Sequence, residues 1–221
     1  MIPGTTTSSV APGSNAELAE SIVAHEWSQF QRVNNEGGPA SCQSNWPVFH
    51  QMRLSQFLAW PRDLLTSYAH DLEAAERSGR NLLTEKYARM MESTVPDEFH
   101  RSIEPYIPKI SAARQARQER IIVMQLGWAQ DFMQRYRALG ASMRTLRSAD
   151  DTAETTSFES YLRGELGTYS EATLALYESM MQRLIERGSN LTESIVLNTM
   201  RMAGYSTLQE AEQALEQGDR S

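Results

Sequence analysis

The amino-acid sequence predicts an all-α fold, a helical bundle of about eight to nine helices, and three observations carry that reading. Apolar residues recur at helical spacing through most of the chain. Capping residues and prolines stand where those periodic segments begin. No segment alternates at period two for long enough to form a strand.

Taken in order, Ser14-Asn15-Ala16-Glu17 is a capping box that opens a helix running to about Asn34. Pro47 and Pro61 suit first helical positions, which places helices near 47–59 and 61–78. The second buries Leu64, Leu65, Tyr68, Leu72 and Ala75, and Gly79 ends it. Shorter helices follow at about 82–92 and 96–103. The longest is expected from about 111 to 139, with Ile121, Trp128, Phe132, Tyr136 and Leu139 on one face. Ser148 to Thr156 reads as a polar loop. Helices resume at about 157–166, 170–187, 190–203 and 207–217, with Asn190 and Ser206 as N-caps. Trp27 and Trp128 are expected to be largely buried.

The chain has 221 residues, enough for one sizeable core, and a formal net charge of −7. Lys and Arg are scattered among carboxylates, so neither a nucleic-acid footprint nor a polybasic membrane patch is present. No stretch is apolar for the length of a bilayer span. The one cysteine, Cys42, cannot form an internal disulfide. Residues 1–13 are rich in Thr, Ser, Pro and Gly and lack a signal-peptide pattern, so they read as a disordered tail that contributes nothing to folding. The remainder, 14–221, reads as a single helical domain of a cytoplasmic protein; a homodimer is compatible with it.

The chain resembles itself. At an offset of 109 residues, Phe49 falls on Phe158, Gln56 on Glu165, Leu65 on Leu174, Tyr68 on Tyr177, Asn81-Leu82 on Asn190-Leu191 and Met91 on Met200. At another offset Trp27-Ser28-Gln29 matches Trp128-Ala129-Gln130. Because the Asn-Leu turn is not a product of helical periodicity, these matches point to two repeats, about 15–105 and 110–217. A small-molecule site is then expected between the halves.

Several stretches are distinctive: Glu26-Trp27, Gly37 to Gln43, Met52 to Phe57 with Trp60, Gly79 to Thr94, and Ser160 to Ser170. Together they resemble the uncharacterised bacterial family known as domain of unknown function 4125, over roughly residues 18–215. The resemblance implies a stand-alone helical domain and transfers no activity.

Candidate site residues come from these stretches. Cys42, before the helix starting near Pro47, is either a nucleophile served by His25 or His50, or a small residue filling a turn. Glu85, Arg89 and Glu92 share one helix face, as a polar cleft wall or a solvated stripe. Arg53 and Gln56 face Tyr161, Glu165 and Tyr169 on the matching helix if the duplication holds, and Arg53 with Glu165 forms either a structural ion pair or part of a ligand site. The expected acid–base groups are Glu85, Glu92 and Glu165. Arg53, Gln56, Arg80, Arg89, Arg163, Tyr68, Tyr161 and Tyr169 are the expected substrate-binding groups, and Arg53, Glu85, Arg89, Glu92 and Glu165 are expected in one cleft. The four histidines form no metal-binding spacing, and no Gly-x-Gly-x-x-Gly or P-loop motif is present, so neither metal nor cofactor is expected. Two functions fit: a lyase, cyclase or isomerase of specialised metabolism acting by metal-free acid–base chemistry on a small polar carboxylate- or amine-bearing metabolite, or a non-catalytic ligand-binding or interaction module. Acyl or amide chemistry at Cys42 is a third.

Overall fold

The computed structural model of the chain describes residues 13–33 and 41–218, without the side chains of Ser41 and Cys42. Among the described residues there are eleven α-helices and no strand. They are α1 (Asn15–Phe30), α2 (Trp46–Phe57), α3 (Arg62–Arg77), α4 (Leu82–Thr94), α5 (Pro96–Glu98), α6 (Ala112–Arg135), α7 (Arg137–Ala141), α8 (Phe158–Leu166), α9 (Glu171–Glu186), α10 (Leu191–Met202) and α11 (Leu208–Gly218). The count exceeds the expected eight to nine, in part because the helix expected over 111–139 is two, α6 and α7.

Side-chain caps set most of the starts. Ser14 and Glu17 form the capping box of α1. Asn81 opens α4 and Asn190 opens α10 by accepting from backbone N–H groups of the first turn. Ser111, Ser157 and Ser170 do the same for α6, α8 and α9. At α11 the cap differs from expectation: the hydroxyl that accepts from the Glu210 N–H belongs to Thr207, while the Glu210 carboxylate reaches back to the Ser206 N–H.

Two helix ends depart from the periodic pattern. Helix α1 stops at Phe30, not near Asn34, and Gln31 forms its C-cap. The long helix expected to reach residue 139 breaks at Tyr136, whose non-helical backbone separates α6 from α7. The cause is a long-range cap. Glu212 on α11 accepts from the N–H groups of Ala138 at 2.8 Å and Leu139 at 2.9 Å, satisfying the first turn of α7. After α5 the chain runs through a π-helical turn at Phe99–Ile103. The 148–156 loop is organised by Asp151, which accepts from the Ser157 N–H and from the hydroxyls of Ser93 and Ser160.

The main core draws on both halves of the chain: Ile22, Phe57, Leu65 and Leu72 pack in the same cluster as Ile122, Leu126, Leu166 and Leu174. A smaller cluster joins Phe132, Tyr136 and Leu139 to Leu208 and Ala211, which docks α11. A third holds Phe30, Val33 and Leu83, with Trp27, Phe49 and Tyr87 against it. Trp27 and Trp128 are half-buried at the edges of these clusters. No helix among the described residues is long and apolar enough to cross a membrane. The tail expected over residues 1–13 lies, apart from Gly13, outside the described residues.

Candidate functional site

Four charged side chains from four helices meet inside the bundle. Glu26 of α1, Arg53 of α2, Lys86 of α4 and Glu165 of α8 are each at most 3 % exposed. Arg53 grips Glu26 with two hydrogen bonds of 2.6 and 2.7 Å, a fork-to-fork geometry. On its other edge Arg53 reaches Glu165 at 3.1 Å, and Lys86 reaches the same carboxylate at 2.6 Å. Gln56 and Tyr169 donate to Glu165 at 2.6 and 2.8 Å, and Tyr68 donates to Glu26 at 2.7 Å. The two cations balance the two anions, as burial at this depth requires.

The electrostatics follow. Burial alone would raise the Glu165 carboxyl, but Arg53 and Lys86 outweigh it and hold the group well below the usual carboxylate range. Burial opposes the charge on Arg53, yet Glu165 and Glu26 raise its pKa well above the ordinary value. Burial and the neighbouring glutamates push the hydroxyls of Tyr68 and Tyr169 upward. All of these groups are fixed in one protonation state near neutrality.

The approach of α8 to α4 makes the arrangement fit. A Cβ at Gly164 would lie 2.7 Å from the Lys86 carbonyl oxygen, so only glycine lets the two helices cross this closely. The crossing seats Lys86 beside Glu165 and under the Tyr161 ring, 3.7 Å from its centroid. Behind this centre Trp60 packs edge-on against Phe57, Tyr68, Tyr169 and Tyr177.

Beside the charged centre, toward α10, lies a cavity of about 380 Å³. Its walls are mostly apolar: Met52, Leu139, Met143, Phe158, Leu162, Ile195, Val196 and Met200. Gln56, Gln125, Glu165 and Tyr177 bring polar atoms to its lining, with Tyr161, Arg144 and Thr199 at other points. Gln125 donates to the Tyr177 hydroxyl at 2.9 Å, and the hydroxyl of that tyrosine is raised by burial.

The residues expected from sequence therefore divide. Arg53, Gln56, Glu165, Tyr68, Tyr161 and Tyr169 converge on the centre or the cavity. Glu85 is held by Arg80 through two hydrogen bonds of 2.7 Å. Arg89 lines separate surface depressions with Glu92 and Arg163, and Arg163 is engaged by Glu119 and Glu159. The five residues expected in one cleft thus occupy more than one place. The Cys42 side chain lies outside the described residues; its two candidate bases, His25 and His50, hydrogen-bond Glu76 and Glu20. Among the described residues, no group of three His, Cys, Asp or Glu side chains is placed to hold a metal ion.

Sequence reasoning left out Glu26, Lys86, Gln125 and Tyr177 as site residues, though the first three carry a signal. Glu26 sits four residues from both Ile22 and Phe30, and Lys86 four from both Leu82 and Met90. A charge on an apolar helix face must find a buried partner or leave the face. Gln125 occupies the same kind of position between Ile121 and Ala129.

No curated protein and no solved structure matches this chain. A family model does, the one described as protein of unknown function (DUF4125), over residues 16–213. With nearly its whole length inside that match, the chain belongs to this family.

Proposed function

We propose that this chain is a small-molecule-binding domain, one helical unit built from two related halves, whose ligand occupies the cavity between α2, α8 and α10. The observation that carries the reading is the contrast between the cavity and its floor. The walls are mostly apolar and border about 380 Å³, while Gln56, Gln125 and Tyr177, which bring polar atoms to the lining, are held by hydrogen bonds of their own. Such a space suits a ligand with a largely apolar body and a hydrogen-bonding group directed at Gln56, Gln125 or Tyr161.

An acid–base enzyme working in this cavity, the other reading of the sequence, needs a carboxylate there with an oxygen to spare. Both oxygens of Glu165 are occupied by Arg53, Lys86, Gln56 and Tyr169, and Glu85 is clamped by Arg80. Binding is therefore the stronger reading of this cavity.

Paired contacts support the two-halves part of the proposal. Asn81 donates to the Gln29 carbonyl at 2.8 Å, and Asn190 donates to the Trp128 carbonyl at 3.0 Å. Tyr68 bonds Glu26, and Tyr177 bonds Gln125. Gln56 and Glu165, equivalent at the 109-residue offset, bond each other. These pairs set Gln29 opposite Trp128, and so Trp27 opposite Leu126 and not opposite Trp128.

The test is a thermal-shift screen of a metabolite library on the wild-type chain and on Ile195→Phe, whose larger ring fills the cavity. Ligand binding to the folded state raises the midpoint. The expected result is a set of apolar-bodied hits whose shifts vanish in the variant. Hits that persist unchanged in Ile195→Phe would place the binding elsewhere.

A further inference from the structure

Away from that cavity, Arg89 stands apart from the arginines around it. Arg80 is held by Glu85, Arg114 and Arg117 by Glu171, and Arg163 by Glu119 and Glu159. Arg89, among the described residues, makes no ion pair and one hydrogen bond, from Nη2 to the Pro108 carbonyl at 2.6 Å. Its Nε is buried with no hydrogen-bond partner. A guanidinium carries five N–H donors in a rigid fork, so most of its capacity is unspent.

The side chain is nevertheless given a built position. A Cβ at Gly167 would lie 2.6 Å from Arg89 Cδ and 2.9 Å from Nε, so glycine there leaves the room in which the stem lies. The guanidinium borders a depression of about 310 Å³ whose charged lining is Arg80, Arg89, Lys109 and Arg114 against Asp71 and Glu171. Cations outnumber carboxylates here, on a chain whose net charge is −7. Burial and the like charges of Arg114 and Arg80 hold the Arg89 pKa below its ordinary value, with Glu85 and Glu92 opposing. A charge that is half desolvated, unpaired and pressed by like charges is stabilised by an arriving anion.

We infer that Arg89, with Lys109, Arg80 and Arg114 around it, is an oxyanion-binding site that receives the phosphate or carboxylate group of a small molecule. The fork of Arg89 offers bidentate geometry to either group. Asp71 does not close the site, because its carboxylate accepts from the Ser170 N–H. This site is independent of the apolar cavity and stands or falls without it.

The experiment is a titration of the whole chain with inorganic phosphate and, separately, with succinate, at ionic strength held constant with chloride. Binding is read by calorimetry and by the ¹⁵N–¹H resonance of the Arg89 Nε. The proposal expects saturable binding of at least one anion, with the Arg89 signal moving, and at least tenfold weaker binding in Arg89→Gln. Phosphate alone binding identifies a phosphate ester as the ligand class; succinate alone identifies a carboxylate. Arg120→Gln, on the exposed face of α6, is the control expected to bind as wild type. If Arg89→Gln does not fold, as judged by circular dichroism, Gly167→Ala decides. Its backbone is ordinary helix, and the added methyl displaces the Arg89 stem. Linear, unsaturable responses to both anions would overturn the proposal. So would wild-type affinity in Arg89→Gln or, where that variant fails to fold, in Gly167→Ala.

Discussion

The two ends of the central polar layer fill their space differently. On the α1–α4 side, Trp27, Phe30, Trp46, Phe49 and Tyr87 form a continuous aromatic cluster, and Arg53, Glu26 and Lys86 occupy the interior beside it. On the side of α7, α8 and α10, the neutral pair Gln125–Tyr177 lies beside an open cavity. Close packing is the rule in protein interiors, and a space that one region fills and the other leaves open is where a ligand fits. In the binding proposal the charged centre is scaffold and the cavity next to it receives the ligand.

That division can be broken by mutation. Glu165→Ala strands both Arg53 and Lys86 in the interior, and unfolding in urea should show a loss of about 3–5 kcal/mol. A loss under 1 kcal/mol would mean that the centre is not structural. Phe30→Ala, in the aromatic cluster, should cost about 3 kcal/mol by the same measurement, because the ring is buried among Trp27, Phe49 and Tyr87.

Stability should also depend on pH at both extremes. Glu165 titrates lower in the folded chain than unfolded, so its contribution is full above the unfolded carboxylate pKa, about 4.3. It declines as pH falls below that value. Tyr68 and Tyr169 titrate higher when folded, so their contribution is full below about 10 and declines as pH rises beyond it. Thermal midpoints across the pH range check both signs. Glu165→Gln should flatten the acid limb relative to wild type.

Smaller effects sharpen the picture. Glu212→Gln weakens the long-range cap on α7 and should cost about 1 kcal/mol. Ile195→Phe should add about 0.5 kcal/mol, because it fills open space next to apolar walls. A large loss from Ile195→Phe would mean that the cavity is too rigid to accept the ring.

Much of this was legible in the sequence, and the parts that were not share a cause. The helix starts at Ser14, Asn81 and Asn190 are local chemistry, so a cap can be read from neighbouring residues. The break at Tyr136 depends on Glu212, more than seventy residues away, and local periodicity carries no trace of it. The site behaved alike. The Arg53–Glu165 pairing was readable because the 109-residue self-match aligns the sequence segments of α2 and α8. Glu85 and Arg89 share a helix, but Arg80 claims one and Pro108 the other, and those partners are set by tertiary structure. Lys86 and Glu26 are charges on apolar helix faces, and the partners that make sense of them, Glu165 and Arg53, come from other helices.

The central claim is that the cavity beside a saturated charged centre binds an apolar-bodied small molecule. A titration with indole, followed by methyl NMR of the folded chain, tests it most directly. The account predicts saturable shifts at Leu162, Ile195 and Val196, with Ile22 and Leu72 unmoved in the main core. It also predicts that these shifts disappear in Ile195→Phe. Unsaturable or uniformly scattered shifts, or the same response in the variant, would contradict it.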